Sequence, residues 1–448
     1  MSKHDRREFL TLSGTVLGGI AAGSTVVAGT RTDRYIVQTR GEGALDGLDV
    51  VHEMPGVDFA VVRGGESELK KARGVKEYAP DIEIELNDPD VNEEVPSFDA
   101  SDYEGQPGDF LQWDKADLNV PEAHETTEGE GSRVAIIDSG VLETHPDLAG
   151  PLNLELSRNF TDDGGDHNPV GGDDHGTHVA GIVAADNGGG IGVNGTAPKT
   201  DLVDCRVFSG PFATFADILA AVVYSAEIDA DVANLSLGAY PIPRQELGGF
   251  YGRVLNATMT YANKEGTLLV IAAGNDSADL QKDKNFISLP NEGAQAVSVS
   301  ATGPIGYGWD ADGDGEVADF EAPPESPAFY TNYGTNAITL GAPGGDADLG
   351  AIGTGVPWFY DLVFNTVFTY EDTDDDDEPD TQVPGYGWKA GTSMAAPNVA
   401  GAAALVKSAN PNYNANQVES ALKRAAEVPD DYDKTFYGAG YLNIVDAL

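Results

Sequence analysis

Short apolar runs alternate with longer alanine-rich segments along most of this chain. Residues 134–137 and 268–271 are apolar at every position and have the length of a β-strand, whereas residues 218–226 and 400–407 have the length of a helix. Strands that are apolar throughout are typical of a parallel sheet with helices covering both faces. The pattern from residue 112 onward therefore predicts an α/β domain built on a mostly parallel β-sheet.

A different pattern precedes this domain. Short mixed runs of apolar and polar residues predict strands and one helical stretch at positions 35–38, 59–62, 69–72 and 82–86. Together they indicate a small α+β domain at residues 31–86. Residues 87–109 carry prolines and glycines among acidic residues, which is typical of an exposed linker. We assign residues 110–448 to the large α/β domain.

Residues 1–30 have the layout of an export signal. Arg6 and Arg7 precede a weakly apolar run of 18 residues, 11–28, that is rich in small side chains. Paired arginines are typical of a twin-arginine signal, which carries folded proteins across a membrane. A membrane anchor is the alternative, but this run lies at the lower limit of length for a span. We therefore predict a secreted, extracellular protein that is exported by the twin-arginine translocase.

The balance of charge narrows the class of protein further. Asp plus Glu number 74 and Lys plus Arg number 26, which gives a net charge of −48, yet 41% of the residues are apolar. That apolar fraction is too high for a disordered acidic chain. The negative charge repels phosphate backbones and anionic lipids, which argues against a nucleic-acid partner. We therefore expect a folded protein whose acidic surface requires screening by molar salt. Cys205 is the single cysteine, which excludes an intrachain disulfide.

Four segments of the large domain carry the side chains that acyl transfer needs. A strand ends at Asp138, a helix opens with His175, another strand leads to Asn275, and Ser393 lies at the start of an apolar helix. A serine becomes a nucleophile when a base removes its proton, and a carboxylate must orient that base. The oxyanion of the tetrahedral intermediate needs preorganised hydrogen-bond donors. The chain therefore contains every group for this chemistry, in the order Asp, His, Ser.

This order and its surrounding motifs resemble those of the subtilisin-like serine proteases, the subtilases. The motifs are DSG from residue 138, HGTHVAG from residue 175, AAGN from residue 272 and GTSMAAP from residue 391. The resemblance extends from residue 112 to residue 448 and implies a subtilisin-like fold. It also implies that residues 31–86 are a propeptide that acts as chaperone and inhibitor, cut off near the linker. The acidity and the paired arginines look like those of the halolysins.

The resemblance assigns a role to each motif. It implies that Ser393 is the nucleophile, His175 the base and then the acid, and Asp138 the orienting carboxylate. Asn275 and the backbone N–H of Ser393 would stabilise the oxyanion. The substrate-binding walls would be Ser236, Leu237 and Gly238 on one side and Ala272, Ala273 and Gly274 on the other. The implied activity is hydrolysis of protein or peptide substrates by a monomeric endopeptidase that processes its own precursor.

Calcium is the cofactor that we expect, from two signals. By resemblance, the ligands of a tight calcium site are Gln112, Asp147, Asn187, Ile191 and Val193. Independently, residues 310–321 fit the twelve-residue D-x-D-x-D-G-x₅-E calcium loop at every specified position. Its side chains Asp310, Asp312, Asp314 and Glu321, with the backbone carbonyl of Glu316, would converge on one hard cation.

Some alternatives stay open at this point. The fold could be a catalytically silent binding protein, or a processing protease with few substrates instead of a general scavenger. His178 invites a two-histidine metal site, but we interpret it as structural because no H-E-x-x-H pattern is present. Asn398, where relatives often have histidine, is interpreted as a tolerated variation. Two insertions are predicted at residues 305–325 and 346–385, the second with an acidic loop at 371–380.

Overall fold

The computed structural model describes residues 24–41, 43–87, 95–99, 111–171, 173–190, 192–283, 285–317, 319–371 and 381–448. Most of the predicted signal segment lies outside these residues, and the first strand begins at Ser24. Among the described residues, none of the helices combines the length and the apolar character that a membrane span requires.

The strands are short and lie along the whole described chain. In chain order they are β1 (Ser24–Thr39), β2 (Asp49–Met54), β3 (Phe59–Arg63), β4 (Val75–Asn87), β5 (Ser97–Asp99), β6 (Arg133–Asp138), β7 (Arg158–Asn159), β8 (Asp201–Arg206), β9 (Phe208–Ser209), β10 (Phe212–Thr214), β11 (Val232–Leu235), β12 (Ala239–Pro243), β13 (Leu268–Ala272), β14 (Phe286–Leu289), β15 (Ala296–Thr302), β16 (Leu340–Pro343), β17 (Val363–Glu371) and β18 (Thr381–Lys389).

The helices are longest where they cover the central sheet. They are α1 (Glu66–Leu69), α2 (Trp113–Asp117), α3 (Val120–Ala123), α4 (His175–Ala184), α5 (Phe215–Glu227), α6 (Arg244–Glu265), α7 (Thr392–Ala409), α8 (Ala415–Ala425) and α9 (Lys434–Tyr437), with short 3-10 helices at Trp358–Asp361 and Val445–Ala447. Helix α1 begins three residues before the helical stretch predicted at 69–72. The side chain of Glu68 accepts the backbone N–H of Gly65 and so starts the helix earlier.

The central sheet is parallel and lies between two layers of helices. Its order is β16-β15-β13-β11-β6-β8-β7, and every neighbouring pair runs parallel. Along β6, Val134 and Ile136 belong to the core shared with α4 and α7, whereas Ala135 and Ile137 belong to the core shared with α5 and α6. The predicted fold class is therefore confirmed.

The N-terminal unit, residues 31–86, packs against the second of these helical layers. Its strand β4 pairs antiparallel with β10, and the resulting mixed sheet also includes β9, β12 and β14. The apolar side chains of Ile36, Phe59 and Ile82 join the same core as Phe215 and Phe250. The unit thus shares both a sheet and a hydrophobic core with the α/β domain.

A β-hairpin, β17–β18, overlaps the insertion predicted at 346–385 and packs on helix α4. The hydroxyl of Thr366 donates to the carbonyl of Thr177 at 2.7 Å. Gly181 is required on the facing side, because a Cβ there would lie 2.1 Å from the Thr366 hydroxyl oxygen. Strand β5, from the predicted linker, adds to this hairpin as a third strand. The acidic loop predicted at 371–380 lies outside the described residues apart from the backbone of its first residue.

A buried group of charges joins the N-terminal unit to the α/β domain. Arg34 is 1% exposed, and its guanidinium contacts Asp81 at 3.0 Å, Asp162 at 3.1 Å and Asp217. The Nε2 atom of His52 lies 2.7 Å from Asp217. Burial raises the pKa of Asp81 to about 7, against the opposing effect of Arg34. Arg34 and His52 belong to the N-terminal unit, whereas two of the three carboxylates, Asp162 and Asp217, belong to the α/β domain.

Replacement of Arg34 by methionine should loosen the N-terminal unit. Removing one partner from a buried charge group costs about 3–5 kcal/mol, because the remaining charges stay buried without compensation. Hydrogen–deuterium exchange of the full-length Arg34→Met chain should show faster exchange in β1–β4 and unchanged exchange in β13. Arg31→Met is the matched control, since Arg31 pairs with Asp33 within its own strand. Equal exchange in both variants would contradict a role for Arg34 in docking.

Candidate active site

Ser393 lies in the first turn of helix α7 and is 2% exposed. Pro397 lies inside this helix and has no N–H, so the carbonyl of Ser393 lacks its usual helical donor. The hydroxyl of Ser236 donates to that carbonyl at 2.7 Å, and the hydroxyl of Ser393 donates to the carbonyl of Ser236 at 3.1 Å. The residue that follows β11 therefore fixes the position of the predicted nucleophile.

Asp138 and His175 form a close pair at the ends of two elements. Asp138 is the last residue of β6, His175 is the first residue of α4, and the distance between Oδ1 and Nδ1 is 2.7 Å. A carboxylate at Nδ1 favours the tautomer whose Nε2 accepts a proton. Within the described residues, Nε2 is buried and makes no hydrogen bond. The pair therefore has the arrangement of a general base with its orienting carboxylate.

Asn275 is fixed against the first turn of helix α7. Its Oδ1 accepts the backbone N–H of Thr392 at 2.9 Å and the hydroxyl of Thr392 at 2.8 Å. The Thr392 hydroxyl oxygen also accepts the N–H of Gly274 at 3.0 Å. These contacts assign the Asn275 Oδ1 atom as the acceptor and leave its Nδ2 atom as the donor. They place an amide donor next to Ser393, as oxyanion stabilisation requires.

A shallow pocket lies beside Ser393. Four of the six predicted wall residues line it: Leu237, Gly238, Ala272 and Gly274. Of the other two, Ser236 donates its hydroxyl to the carbonyl of Ser393. Ala273 donates its backbone N–H to the carbonyl of Val299 in the sheet. Besides Asn275, Thr392 and Ser393, the lining includes Tyr240, Asp276 and Ser288, which the sequence analysis missed. They follow strands or lie in them, but no motif distinguishes them.

Several charges surround the His175 imidazole. Burial acts to lower the pKa of His175, but Asp138 outweighs this effect and the pKa rises to about 9. Asp173 raises it further and Lys389 opposes the rise. Asp173 Oδ1 accepts the backbone N–H of His175 at 3.0 Å, and burial raises the pKa of Asp173 to about 6. Lys389 pairs with Asp174 at 2.7 Å. Asp173 is a second carboxylate at the imidazole that sequence reasoning missed.

A buried lysine supports the helix that carries Ser393. Lys115 is 6% exposed, and its Nζ donates to Asn398 at 2.6 Å, Thr196 at 3.0 Å and the carbonyl of Ile182 at 3.1 Å. Asp114 lies 3.1 Å from the ammonium and accepts from the Asn398 amide at 3.2 Å. Asn398 is therefore the centre of a specific polar cluster, and the interpretation of a merely tolerated variation understated its part. The ring of His178 makes a 3.2 Å contact with the carbonyl of Val363, which fits its structural interpretation.

The predicted calcium loop is exposed, and three of its carboxylates converge. Ligand oxygens of Asp310, Asp312 and Asp314 all lie within 4.8 Å of one another. Glu321, predicted to close the site, is outside this group, and its backbone N–H donates to the carbonyl of Ile305. The charges of Asp312 and Asp314 raise the pKa of Asp319 instead. The carboxylates at the first, third and fifth positions are thus close enough together to face one cation, whereas Glu321 is not part of this group.

The second predicted calcium site has its residues together around one loop. Gln112 bonds through both ends of its amide to the backbone of Asn194, at 2.8 and 3.1 Å. Asp147 Oδ2 accepts the N–H of Val193 at 2.8 Å and the hydroxyl of Tyr386 at 2.9 Å. The side-chain oxygen of Asn187 accepts the backbone N–H of Gly189 at 2.8 Å. Ile191 lies outside the described residues. Protein donors thus already engage oxygens of Gln112, Asp147 and Asn187.

Comparison with known proteins agrees with this geometry. The model of the subtilase family matches residues 129–440. Subtilisin BL of Lederbergia lenta is 31% identical to this chain, over 74% of the chain and 97% of that protein. Halolysin of Haloferax mediterranei is 27% identical, over 99% of the chain and 76% of that protein. The family match includes all residues of the candidate active site.

Solved structures give the same result for the fold. Proteases from Pseudoalteromonas arctica match with a TM-score of 0.59 and 28% identity, over 76% of this chain and 97% of that chain. The epidermin leader peptide processing serine protease of Staphylococcus aureus matches with a TM-score of 0.68 over 95% of this chain and 98% of that chain. At 19% identity the second match concerns the fold alone. Because the family model covers more than half of its residues, this chain belongs to the subtilase family of serine peptidases.

Proposed function

We propose that this chain is a secreted endopeptidase that cleaves peptide bonds through a Ser393–His175–Asp138 triad and an acyl-enzyme intermediate. The observation that carries the proposal is the 2.7 Å contact between Asp138 and the Nδ1 of a buried imidazole. That contact leaves Nε2 as the basic atom. The position of Ser393 beside Asn275, in the lining of one pocket, supports the same function.

The residues define a reaction sequence. His175 Nε2 takes the proton from Ser393 Oγ as that oxygen attacks the carbonyl carbon of the substrate, and Asp138 stabilises the imidazolium. The Asn275 amide and the backbone N–H of Ser393 donate to the oxyanion. The imidazolium then protonates the leaving amine, which leaves an ester on Ser393. Water, activated by the same imidazole, hydrolyses the ester and restores the enzyme.

The charges around His175 predict the pH dependence of this reaction. The base must be neutral, so kcat/KM rises as the pH increases through the pKa of His175. Asp173→Asn removes a negative charge that favours the imidazolium, and the acidic limb of the profile should move to lower pH by up to about one unit. Lys389→Met should move it to higher pH. Glu155→Gln, the loss of one exposed charge, is the control, and identical limbs in all variants would contradict the assignment.

We also propose that residues 31–86 form a propeptide that folds with the catalytic domain and is cut off by its active site. The antiparallel pairing of β4 with β10 and the buried contacts of Arg34 support this proposal. The paired arginines of the sequence support export by the twin-arginine translocase, although that segment lies outside the described residues. The net charge of −48 supports a working environment of molar salt.

Self-processing has a direct test. The Ser393→Ala chain, produced in a host without other extracellular proteases, should accumulate as an uncleaved precursor, and its hydrolysis of casein should fall at least about a thousandfold. Ser408→Ala, on the same helix and bonded to the carbonyl of Glu130, is the matched control and should mature normally. Intact mass of the secreted protein measures both results. Efficient maturation of the Ser393 variant would exclude self-cleavage.

We propose that the loop at 310–321 binds Ca²⁺. The convergence of Asp310, Asp312 and Asp314 and the calcium-loop spacing support this site. A bound cation would neutralise carboxylates that repel one another in an exposed insertion. For the residues around Gln112 and Asp147, calcium binding stays a prediction from family resemblance.

Metal analysis tests the loop. At molar NaCl with excess Ca²⁺, the variant Asp310→Asn/Asp312→Asn should hold about one calcium ion fewer per chain than the parent, because two hard oxygen ligands lose their charge. The matched control is Asp229→Asn/Glu265→Gln, which removes two exposed carboxylates elsewhere. The initial peptidase rate should be unchanged in both. An unchanged calcium content in the loop variant would rule out this site.

A further inference from the structure

Thr177 joins the helix that carries His175 to two other segments. It lies two residues after His175 in α4 and is fully buried. Its hydroxyl oxygen accepts the backbone N–H of Leu142 at 3.0 Å, in the loop that follows Asp138. Its carbonyl accepts the hydroxyl of Thr366, in strand β17, at 2.7 Å. The β17–β18 hairpin thus binds the helix at the residue that also holds the loop beside Asp138.

The same hairpin makes contacts on both sides of His175. At the end of β18, Lys389 pairs with Asp174 at 2.7 Å, and Asp174 immediately precedes His175. At the start of β17, the carbonyl of Val363 lies 3.2 Å from Nε2 of His178. Together with the bond between the two threonines, these contacts fix helix positions directly before and after His175.

Helix α4 depends on such contacts because its first residue lacks the usual cap. Asp174 occupies the N-cap position but makes no side-chain capping bond to the helix. Its carboxylate contacts Lys389 instead. The first turn of a helix has backbone groups without partners inside the helix, and helix ends fray first. The hairpin therefore supplies part of the support that this turn does not obtain from its own N-cap side chain.

The hydroxyl of Thr366 lies in a closely packed part of this contact. Thr366 and Thr177 are both fully buried, so bulk water does not reach their hydrogen bond. One turn further along α4, a Cβ at Gly181 would lie 2.1 Å from the Thr366 hydroxyl oxygen. A carbonyl that loses its donor in such surroundings is left unsatisfied unless the backbone shifts. Removal of this one hydroxyl is therefore expected to displace the first turn of α4.

From these contacts we propose that Thr366 is a positioning residue for the reaction, which holds the first turn of α4 so that the imidazole of His175 stays against Asp138. Thr366 acts through Thr177 and not on the substrate. The inference rests on the proposed endopeptidase function. It gives the β17–β18 hairpin a part in catalysis besides packing.

Four substitutions test the inference, each in the matured chain as verified by intact mass. Thr366→Val removes the donor and keeps the shape of the side chain, and Thr366→Ala removes it without adding a methyl group beside Gly181. Thr366→Ser keeps the donor. Thr369→Val is the matched control, because it is the same change in the same strand three residues on, where the side chain points to the other face of the hairpin.

The rates are measured at molar NaCl on one chromogenic peptide that the parent cleaves. In Thr366→Val and Thr366→Ala, kcat should fall about ten- to hundredfold, since a displacement of about 1 Å in a catalytic group has an effect of this size. KM should stay within about twofold, because the pocket beside Ser393 is unaltered. Thr366→Ser and Thr369→Val should keep the parental kcat and KM.

The acidic limb of the kcat/KM profile is a readout that a purely structural role would not change. Burial lowers the pKa of His175, Asp138 outweighs that effect, Asp173 adds to the rise and Lys389 opposes it. An imidazole that moves away from Asp138 loses the largest of the raising effects. The limb should therefore move to lower pH in Thr366→Val and Thr366→Ala and stay in place in Thr369→Val.

Several results would overturn the inference and leave the endopeptidase proposal intact. They are a parental kcat in both Thr366→Val and Thr366→Ala, an equal fall in Thr369→Val, or a fall in kcat with an unchanged acidic limb. Loss of the thermal unfolding transition in both variants would likewise overturn it, in favour of a role in folding alone. No cleavage of any peptide by the parent would overturn both proposals.

Discussion

The close approach of two backbone segments at Gly140 and Gly176 is the constraint on which the active site depends. A Cβ at Gly176 would lie 2.5 Å from the carbonyl oxygen of Gly140, so the two segments can touch only because position 176 has no side chain. The contact sets the end of β6 against the start of α4. It thereby places Asp138 2.7 Å from His175. Gly176, which follows His175 in its motif, is thus part of the geometry of the Asp138–His175 pair.

The topology of the sheet supplies the rest of the site. Strands β6, β11 and β13 are parallel neighbours, so their carboxyl ends meet at one edge. Asp138 ends the first of these strands, Ser236 follows the second, and Asn275 lies just beyond the third. Helix α7 begins at that edge, where Thr392 binds Asn275 and Ser393 binds Ser236. Three strand ends and the start of helix α7 thus position Asp138, Ser236, Asn275 and Ser393 in the candidate active site.

The difference between local runs of sequence and contacts made only on folding explains which features could be predicted from the sequence. Strands, covering helices and the motifs around Asp138, His175, Asn275 and Ser393 are properties of short local runs, and the structure has the strands and helices where those runs are. The Lys115–Asn398 contact joins residues 283 positions apart, and no local pattern reports such a pair. Asp173 and Asp276 resemble any other acid in a chain with 74 of them. Their significance depends on an imidazole and a pocket that exist only after folding.

A few buried lysine and arginine side chains join separate parts of this acidic chain. Three basic side chains are almost fully buried, and each contacts a carboxylate. Arg34 contacts Asp81, Lys115 contacts Asp114, and Arg206 contacts Asp163. Salt at molar concentration shortens the Debye length to about 3 Å and screens exposed pairs, whereas buried pairs are screened much less. High salt therefore weakens the repulsion among surface acids without weakening these internal contacts to the same degree. At molar salt the buried contacts of Arg34, Lys115 and Arg206 would thus continue to anchor the N-terminal unit, the Ser393 helix and strand β8.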